Sequence, residues 1–243
     1  MKKRIWELDA FRGLCIIGVV IVHLIYDLVD LYGIVKWDYP AWFAFIRDWG
    51  GILFLILSGI CVTLGSHSIR RGLIVFLSGM LCTAVTYGMY RMGFGKSIII
   101  YFGVLHCLGV CMLLWPTYRN MPWWALMLHG IVLAVLGLYL NELIQSGTLA
   151  TSDQWLMPLG LYWRGFASSD YFPLLPNLGY FLIGAALGRT LYKSRTSLLP
   201  KVNVNNSILR ALRFCGRHSL WIYLLHQQVI SGVCYLLTMP IGG

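Results

Sequence analysis

The first long apolar stretch of the chain, residues 10–32, carries Arg12, His23 and Asp27 at depths where a membrane-spanning helix ordinarily has no ionisable side chain. Arg12 and His23 return to nearly the same helical face and stand roughly 16 Å apart along the axis. With Arg12 at one membrane surface, His23 lies near the middle of a hydrocarbon core about 30 Å thick. Asp27 follows four residues later, on the side of His23. Polar groups at this depth face a bundle interior or a wet cavity, so this helix is a candidate site.

The other apolar stretches extend this interpretation to the whole chain. Charged residues make up 12% of the sequence, against about 25% in soluble domains, and the mean hydropathy is +0.72. Pro, Gly, Ser and Arg clusters separate seven predicted helices: 10–32, 50–66, 71–90, 98–117, 122–144, 173–192 and 216–239. We therefore predict an all-α, polytopic membrane helix bundle with about seven transmembrane helices, formed by residues 1–243 as a single integral membrane domain.

Charge placement predicts the orientation of this bundle. With a cytoplasmic N-terminus, most of the 19 Lys and Arg residues fall inside and most of the 9 Asp and Glu residues fall outside. This asymmetry predicts N-terminus in, C-terminus out, in a multi-pass protein of the cell (plasma) membrane. The net charge of +10 therefore requires no nucleic-acid partner, although it would attract an anionic cytoplasmic ligand. The expected surroundings are the lipid bilayer, and both a monomer and a homo-oligomer are compatible with the sequence.

Three histidines within apolar stretches are candidates for chemistry. Asp27, at i + 4 from His23, is placed to orient that imidazole or to raise its basicity. His106 lies about midway along the fourth predicted helix and is equally compatible with a site and with packing. His226 shares a helical face with Tyr223, and satisfying interfacial groups near a helix end is its alternative role.

Charged residues near the helix ends form a second set of candidates. Asp9 and Arg12, at i and i + 3, can pair as a membrane anchor, yet the fork of donors on Arg also suits phosphate. Arg217 and His218 stand at the predicted cytoplasmic entrance of the last helix.

On the predicted outer side, Asp48 and Asp170 precede helices, where Asp is most often an N-cap and can also face an extracytoplasmic substrate. The seven cysteines include no CxxC pair, so we predict neither a disulfide framework nor a metal site.

Five ordered sequence blocks resemble the membrane acyltransferase superfamily. They are LDAFRG with an intramembrane His after R-x10-H, DWGGILFLILSGIC, YFGVLHCLG, DYFPLLPNLGYFLIGAALG and GRHSLWIYLLHQQV. Their order and extent look closest to short bacterial proteins carrying the heparan-alpha-glucosaminide N-acetyltransferase catalytic domain, which are related to the acyltransferase-3 proteins.

The resemblance implies an acetyl-CoA-dependent acyltransferase that delivers an acetyl group, by N- or O-transfer, to an extracytoplasmic sugar or glycan acceptor. Together with the positions described above, it gives a catalytic group (His23, Asp27 and His106), a donor-binding group (Asp9, Arg12, Arg217 and His218) and an acceptor-binding group (Asp48, Asp170 and His226).

Two other classes of function stay open on the sequence. A small transporter or channel would use His23, Asp27 and His106 as a proton or solute path, although the chain shows no inverted repeat. A scaffold protein would show no effect of CoA and no loss of function when His23 is changed. Protection by CoA against thermal unfolding distinguishes the enzyme from both, because a ligand that binds the native state stabilises it.

Overall fold

The computed structural model describes residues 4–149, 151 and 153–238, except for the side chain of Asp48. Within these ranges the chain is helical and contains no strand, only an isolated bridge between Phe102 and Tyr171. The all-α prediction is therefore confirmed. The chain divides into two compact units, Met1–Phe54 with Thr196–Gly243, and Leu55–Arg195. The single integral membrane domain stays a prediction.

The described residues form eight α-helices. In chain order they are α1 (Trp6–Tyr26), α2 (Ala41–Leu64), α3 (Ser68–Arg91), α4 (Val104–Tyr118), α5 (Trp123–Gln145), α6 (Leu174–Leu191), α7 (Ser207–Arg217) and α8 (Ser219–Thr238). A π-helical turn, Asp27–Leu31, continues α1. Short 3₁₀ turns lie at Lys96–Ile98 and Gln154–Leu159.

Five of the helices are long and apolar enough to cross a membrane. They are α1 with its π-helical turn, α2, α3, α5 and α8, whereas α4 is a shorter apolar helix. Each reaches the 20 or so residues that a hydrocarbon core of about 30 Å requires. The described residues thus contain five candidate spans, whereas the sequence predicts about seven, and the count of seven stays a prediction. The orientation of the termini stays a prediction as well.

Apolar side chains on the candidate spans are largely exposed, which is expected of helices solvated by lipid. Only 11% of the most apolar window of α1 is buried, and the same share holds for α3. Leu14 and Leu77 are 54% and 63% exposed on these two helices. Water would oppose so much apolar surface, and a hydrocarbon environment removes that cost.

Several helix boundaries differ from the prediction, and three of these differences follow from local features of the chain. The helix α2 begins at Ala41, directly after Pro40, and runs through the polar residues that place its predicted start at residue 50. The helix α4 begins at Val104 rather than 98, because Gly103 is its extended N-cap. The predicted helix 216–239 begins inside α7 and crosses a break at His218.

The helix α7 is absent from the prediction. Its start is set by Asn206, whose side-chain oxygen accepts a hydrogen bond from the Ile208 amide at 2.8 Å. It is short and amphipathic, with Arg210, Arg213 and Arg217 recurring along it, so a search for long apolar stretches passes over it.

Two glycines allow α7 to lie directly against α1. A Cβ atom on Gly13 would stand 1.9 Å from the Leu212 carbonyl oxygen, and one on Gly216 would stand 1.8 Å from the Asp9 carbonyl oxygen. Only residues without a side chain fit at both positions, as is common where membrane helices cross closely. The crossing holds the N-terminal half of α1 against the chain segment that leads into α8.

The unit Leu55–Arg195 pairs α3 with α4 and α5 with α6. The segment before α4 is held by the segment before α6, since the Phe172 amide donates to the Phe102 carbonyl at 2.9 Å. Ser168 adds a hydroxyl hydrogen bond to the Ile99 carbonyl at 2.9 Å. These bonds fix the entry to α4.

Candidate active site

Two histidines meet where α1 packs against α8. The ring centroids of His23 and His226 lie 4.9 Å apart, with the ring planes at 70°, so the edge of one ring meets the face of the other. His226 is buried, with 9% of its surface exposed, and His23 is half-buried. Both helices are candidate spans, so the pair lies within apolar helices, where polar groups are rare.

The hydrogen bonding of His226 defines its tautomer. Nδ1 lies 2.6 Å from the Tyr223 carbonyl oxygen, one turn earlier on α8. Because a carbonyl oxygen only accepts, Nδ1 carries the proton, and the neutral ring keeps its lone pair on Nε2. Nε2 is buried, and no group in the described part of the chain is a hydrogen-bond partner for it. The imidazole therefore presents a basic nitrogen that the fold leaves unused.

Among the acids of this unit whose side chains the structure describes, Asp27 is the most deeply buried, with no exposed surface. Gln227 donates its side-chain amide to both carboxylate oxygens at 3.0 Å, and the Ser231 hydroxyl donates to one of them at 2.8 Å. The carboxylate thus lies against α8. The sequence places Asp27 beside His23 on one helix. The side chains that donate hydrogen bonds to Asp27 are, however, Gln227 and Ser231, which lie one turn apart on α8.

The backbone at Asp27 departs from the α-helix. The π-helical turn begins there, and the Tyr32 amide donates to the Asp27 carbonyl five residues earlier, at 2.9 Å. The Tyr32 hydroxyl in turn donates to the Ser231 carbonyl at 3.1 Å. Single π-helical turns occur often at functional sites, where they redirect side chains.

Asp9, near the start of α1, is surrounded by arginines. Its carboxylate oxygens lie 3.9 Å from Arg4, 3.9 Å from Arg12 and 3.5 Å from Arg217. One buried carboxylate among three guanidinium groups leaves an excess of positive charge at this end of α1. His218 follows at the break between α7 and α8, with its ring 4.5 Å from that of Phe214.

His106 lies in the other unit and is fully hydrogen-bonded. Nδ1 accepts the Gly103 amide at 3.2 Å, so Nε2 carries the proton and faces the Thr83 hydroxyl at 3.3 Å. The Thr83 hydroxyl in turn donates a hydrogen bond to the Ile100 carbonyl at 2.6 Å. Gly79 leaves room for the ring, since a Cβ atom there would stand 2.9 Å from Nδ1. This is the geometry of a side chain that caps a helix, and a catalytic role for His106 stays a prediction.

Asp170 caps a helix other than the one it precedes. Its carboxylate accepts the Val104 amide at 3.0 Å, at the N-terminus of α4, where a negative charge is favoured. Burial, followed by the neighbouring Tyr162, raises the pKa of the adjacent Tyr171 phenol above its usual range. The protonated Tyr171 hydroxyl donates to the Met157 carbonyl at 2.7 Å. The side chain of Asp48 lies outside the described part of the structure.

Sequence reasoning passes over three residues of this arrangement: Arg4, Gln227 and Ser231. Gln227 and Ser231 stand at i and i + 4 in an apolar helix, a spacing that could have pointed to a polar partner on a facing helix. Across residues 4–149, 151 and 153–238, no three His, Cys, Asp or Glu side chains are grouped as metal ligands.

Comparison with known proteins gives one family. The sequence profile described as heparan-alpha-glucosaminide N-acetyltransferase, catalytic, matches residues 4–228. Neither the curated proteins nor the solved structures give a match. The matched region contains both histidines of the pair, Asp27 and the arginines around Asp9.

Proposed function

The chain belongs to the heparan-alpha-glucosaminide N-acetyltransferase catalytic family, and from this premise we propose that it is a membrane-embedded acetyltransferase. It takes the acetyl group of cytoplasmic acetyl-CoA and transfers it to an amino or hydroxyl group of a sugar or glycan on the other side of the cell membrane. The observation that carries the proposal is the pair His23–His226, which packs where two candidate spans meet inside the matched region.

The arginines around Asp9 support the donor side of this reaction. Coenzyme A carries several phosphate charges, and guanidinium groups bind phosphate through paired hydrogen bonds. Asp9 compensates one of the three neighbouring cations and orients Arg12 and Arg217, so positive charge is left for an anion. Arg12, Arg217, Asp9 and His218 form the proposed donor-binding group.

The histidine pair supports the chemical step. Acetyl transfer from a thioester requires a base for the proton of the attacking amine or hydroxyl, and a neutral imidazole is the side chain best suited to that role. The apolar surroundings of α1 and α8 exclude water, which would otherwise hydrolyse the thioester. The sequence predicts the catalytic roles in this unit for His23 and Asp27. His106, Asp48 and Asp170 keep the catalytic and acceptor-binding roles that the sequence predicts.

Reconstitution tests the proposal directly. The purified full-length chain is placed in liposomes with acetyl-CoA on one side and glucosamine or glucose on the other. We expect free CoA thiol on the donor side and acetylated sugar on the acceptor side. Absence of both products with the amine and with the hydroxyl acceptor would overturn the proposed function. Proton or sugar movement without CoA release would favour a transporter instead.

The membrane orientation needs its own measurement. We propose a cytoplasmic N-terminus and an external C-terminus because the basic residues would then face the cytoplasm. The seven native cysteines are replaced by serine, one cysteine is added at either end, and cells expressing the chain are treated with a membrane-impermeant thiol reagent. Labelling of the C-terminal cysteine alone agrees with the proposal, and labelling of the N-terminal one contradicts it.

A further inference from the structure

We propose that His226, through Nε2, is the general base of the acetyl transfer, with Asp27 as the residue that stabilises its charged form. This inference rests on the proposed acetyltransferase function and assigns the proton-accepting atom within it. The sequence gives the catalytic role to His23 and places His226 with the acceptor. The geometry at α8 points to the other ring of the pair.

The first argument is the unused nitrogen. Buried polar atoms are almost always hydrogen-bonded, because an unsatisfied one costs about 1–3 kcal/mol. Nε2 of His226 is buried without a partner in the described ranges, while Nδ1 is held by the Tyr223 carbonyl. A substrate N–H or O–H group would satisfy Nε2. His106 differs in this respect, since both of its ring nitrogens have partners.

The second argument is that the backbone holds the reactive tautomer in place. The Tyr223 carbonyl belongs to α8 itself, so the bond from Nδ1 orients the ring without help from another element. With Nδ1 protonated, Nε2 is the basic nitrogen of the neutral ring. The ring therefore does not have to change its tautomer before Nε2 takes a proton. The ring of His23 packs edge to face against that of His226, with the ring centroids 4.9 Å apart, so His23 also restricts the orientation of this ring.

The third argument is the charge of Asp27. Its carboxylate is held against α8 by Gln227 and Ser231, and no described Lys or Arg forms an ion pair with it. Gln227, one of these two donors, directly follows His226 in α8, so the carboxylate is bound by the residue next to this histidine. A fixed negative charge in apolar surroundings favours the imidazolium that forms when His226 takes a proton. Asp27 therefore acts through His226 as a positioning residue.

The step balances with acetyl-CoA as the donor. The acceptor proton moves to Nε2 of His226 while the acceptor nitrogen or oxygen bonds to the thioester carbonyl carbon. When the tetrahedral intermediate collapses, the carbon–sulfur bond breaks and the sulfur leaves with the electron pair. The imidazolium then gives its proton to that sulfur. The products are the acetylated acceptor and the CoA thiol, and His226 is neutral again.

The test separates the two ring nitrogens. In His226→Asn the amide nitrogen can keep the bond to the Tyr223 carbonyl, but no basic nitrogen is left at Nε2. Its matched control is His129→Asn on α5, because His129 makes the same kind of bond to the Ala125 carbonyl, at 2.9 Å, but is exposed. Acetyl transfer from acetyl-CoA to glucosamine is measured for the full-length chain in liposomes. General-base help is worth ~10²–10⁴-fold, so His226→Asn should lose at least about 100-fold while His129→Asn keeps its rate.

A second measurement reads the tautomer in the wild-type chain and requires no variant to turn over. Nitrogen NMR of the wild-type chain with labelled histidine distinguishes a protonated Nδ1 from a protonated Nε2. A His226 signal with Nδ1 protonated supports the inference, and one with Nε2 protonated in the neutral ring overturns it. The signal is assigned by its loss in His226→Asn.

The outcomes separate the inference from the function on which it rests. An active wild type with His226→Asn within about threefold of it overturns the role of His226 and leaves the acetyltransferase standing. An inactive wild type overturns the proposed function and the catalytic role together. For Asp27, a fall in kcat with an unchanged KM for acetyl-CoA in Asp27→Asn supports the electrostatic role, and an unchanged kcat contradicts it.

Discussion

Gln227 donates its side-chain amide to both carboxylate oxygens of Asp27, at 3.0 Å each. This contact and that of Ser231 join α8 to α1 through polar groups inside apolar helices. Hydrogen bonds to a buried charge are stronger than average, because the low local dielectric strengthens the electrostatic attraction between the donor and the charge. These hydrogen bonds link α1 to α8 next to the histidine pair.

Removing the hydrogen bonds from Gln227 to Asp27 should destabilise the folded chain. We expect Gln227→Leu to lower the free energy of unfolding by about 1.5–3 kcal/mol, since Asp27 keeps Ser231 as its donor but loses two amide contacts. Chemical unfolding in detergent, followed by the helical signal in circular dichroism, measures the change. Gln228→Leu is the control, because Gln228 is the next residue on α8 and is exposed. Equal effects of the two changes would contradict the prediction.

The arginines around Asp9 should control donor affinity. Arg217→Ala removes one charge-assisted contact, worth about 1.5–3 kcal/mol, which corresponds to a roughly 10–100-fold higher KM for acetyl-CoA. Because the group binds the donor far from the reacting atoms, kcat should change little. Initial rates at varied acetyl-CoA concentration separate the two constants.

Arg210 on α7 provides the comparison for Arg217. It is exposed and forms no ion pair with Asp9, so Arg210→Ala should leave the KM near the wild-type value. A similar rise in KM for both variants would mean that general surface charge, rather than the arrangement around Asp9, attracts the donor.

The crossing of α1 with α7 should tolerate no side chain at Gly13. In Gly13→Ala the new Cβ would overlap the Leu212 carbonyl oxygen, and overpacking of this kind costs about 1–3 kcal/mol or more. Gly18→Ala on the same helix meets nothing within 4 Å, and alanine favours a helix over glycine, so it should be neutral or stabilising. Thermal unfolding in detergent ranks the two variants, and destabilisation by Gly18→Ala of the same size would refute the packing argument.

His106 should matter for stability. His106→Leu leaves the buried Gly103 amide without its acceptor, which costs about 1–3 kcal/mol. The melting temperature should fall accordingly, and hydrogen exchange should quicken first at the start of α4. An unchanged melting temperature, with exchange at Val104 and Leu105 as slow as in the wild type, would show that the cap contributes nothing.

Much of the fold follows from patterns within single helices. The long apolar stretches predict α1, α3, α5 and α8, and the i, i + 3 spacing allows the contact between Asp9 and Arg12 that is observed. These features depend on residues close in sequence. The helix α7 escapes prediction because its arginines and small size conceal an amphipathic helix among loop-like residues.

The partners of the site residues come from distant parts of the chain, and spacing alone does not identify them. Asp27 lies 200 residues from Gln227, and Asp170 caps α4 across 66 residues. The importance of His226 depends on one hydrogen bond that fixes its tautomer and on one atom that has none. Neither can be read from the letters HQQV, whereas the family resemblance comes from ordered blocks and is confirmed.

The π-helical turn at Asp27–Leu31 decides which residues of the first span can touch the same point on α8. In an unbroken α-helix, residues five apart point about 140° away from each other. Here Asp27 reaches the Ser231 hydroxyl while Tyr32, five residues on, reaches the Ser231 carbonyl. The wider turn reduces that divergence, so Asp27 and Tyr32 can both form a hydrogen bond with Ser231. Deleting a single residue between 28 and 31 would restore the α-helix, and only one of these two hydrogen bonds to Ser231 could then form.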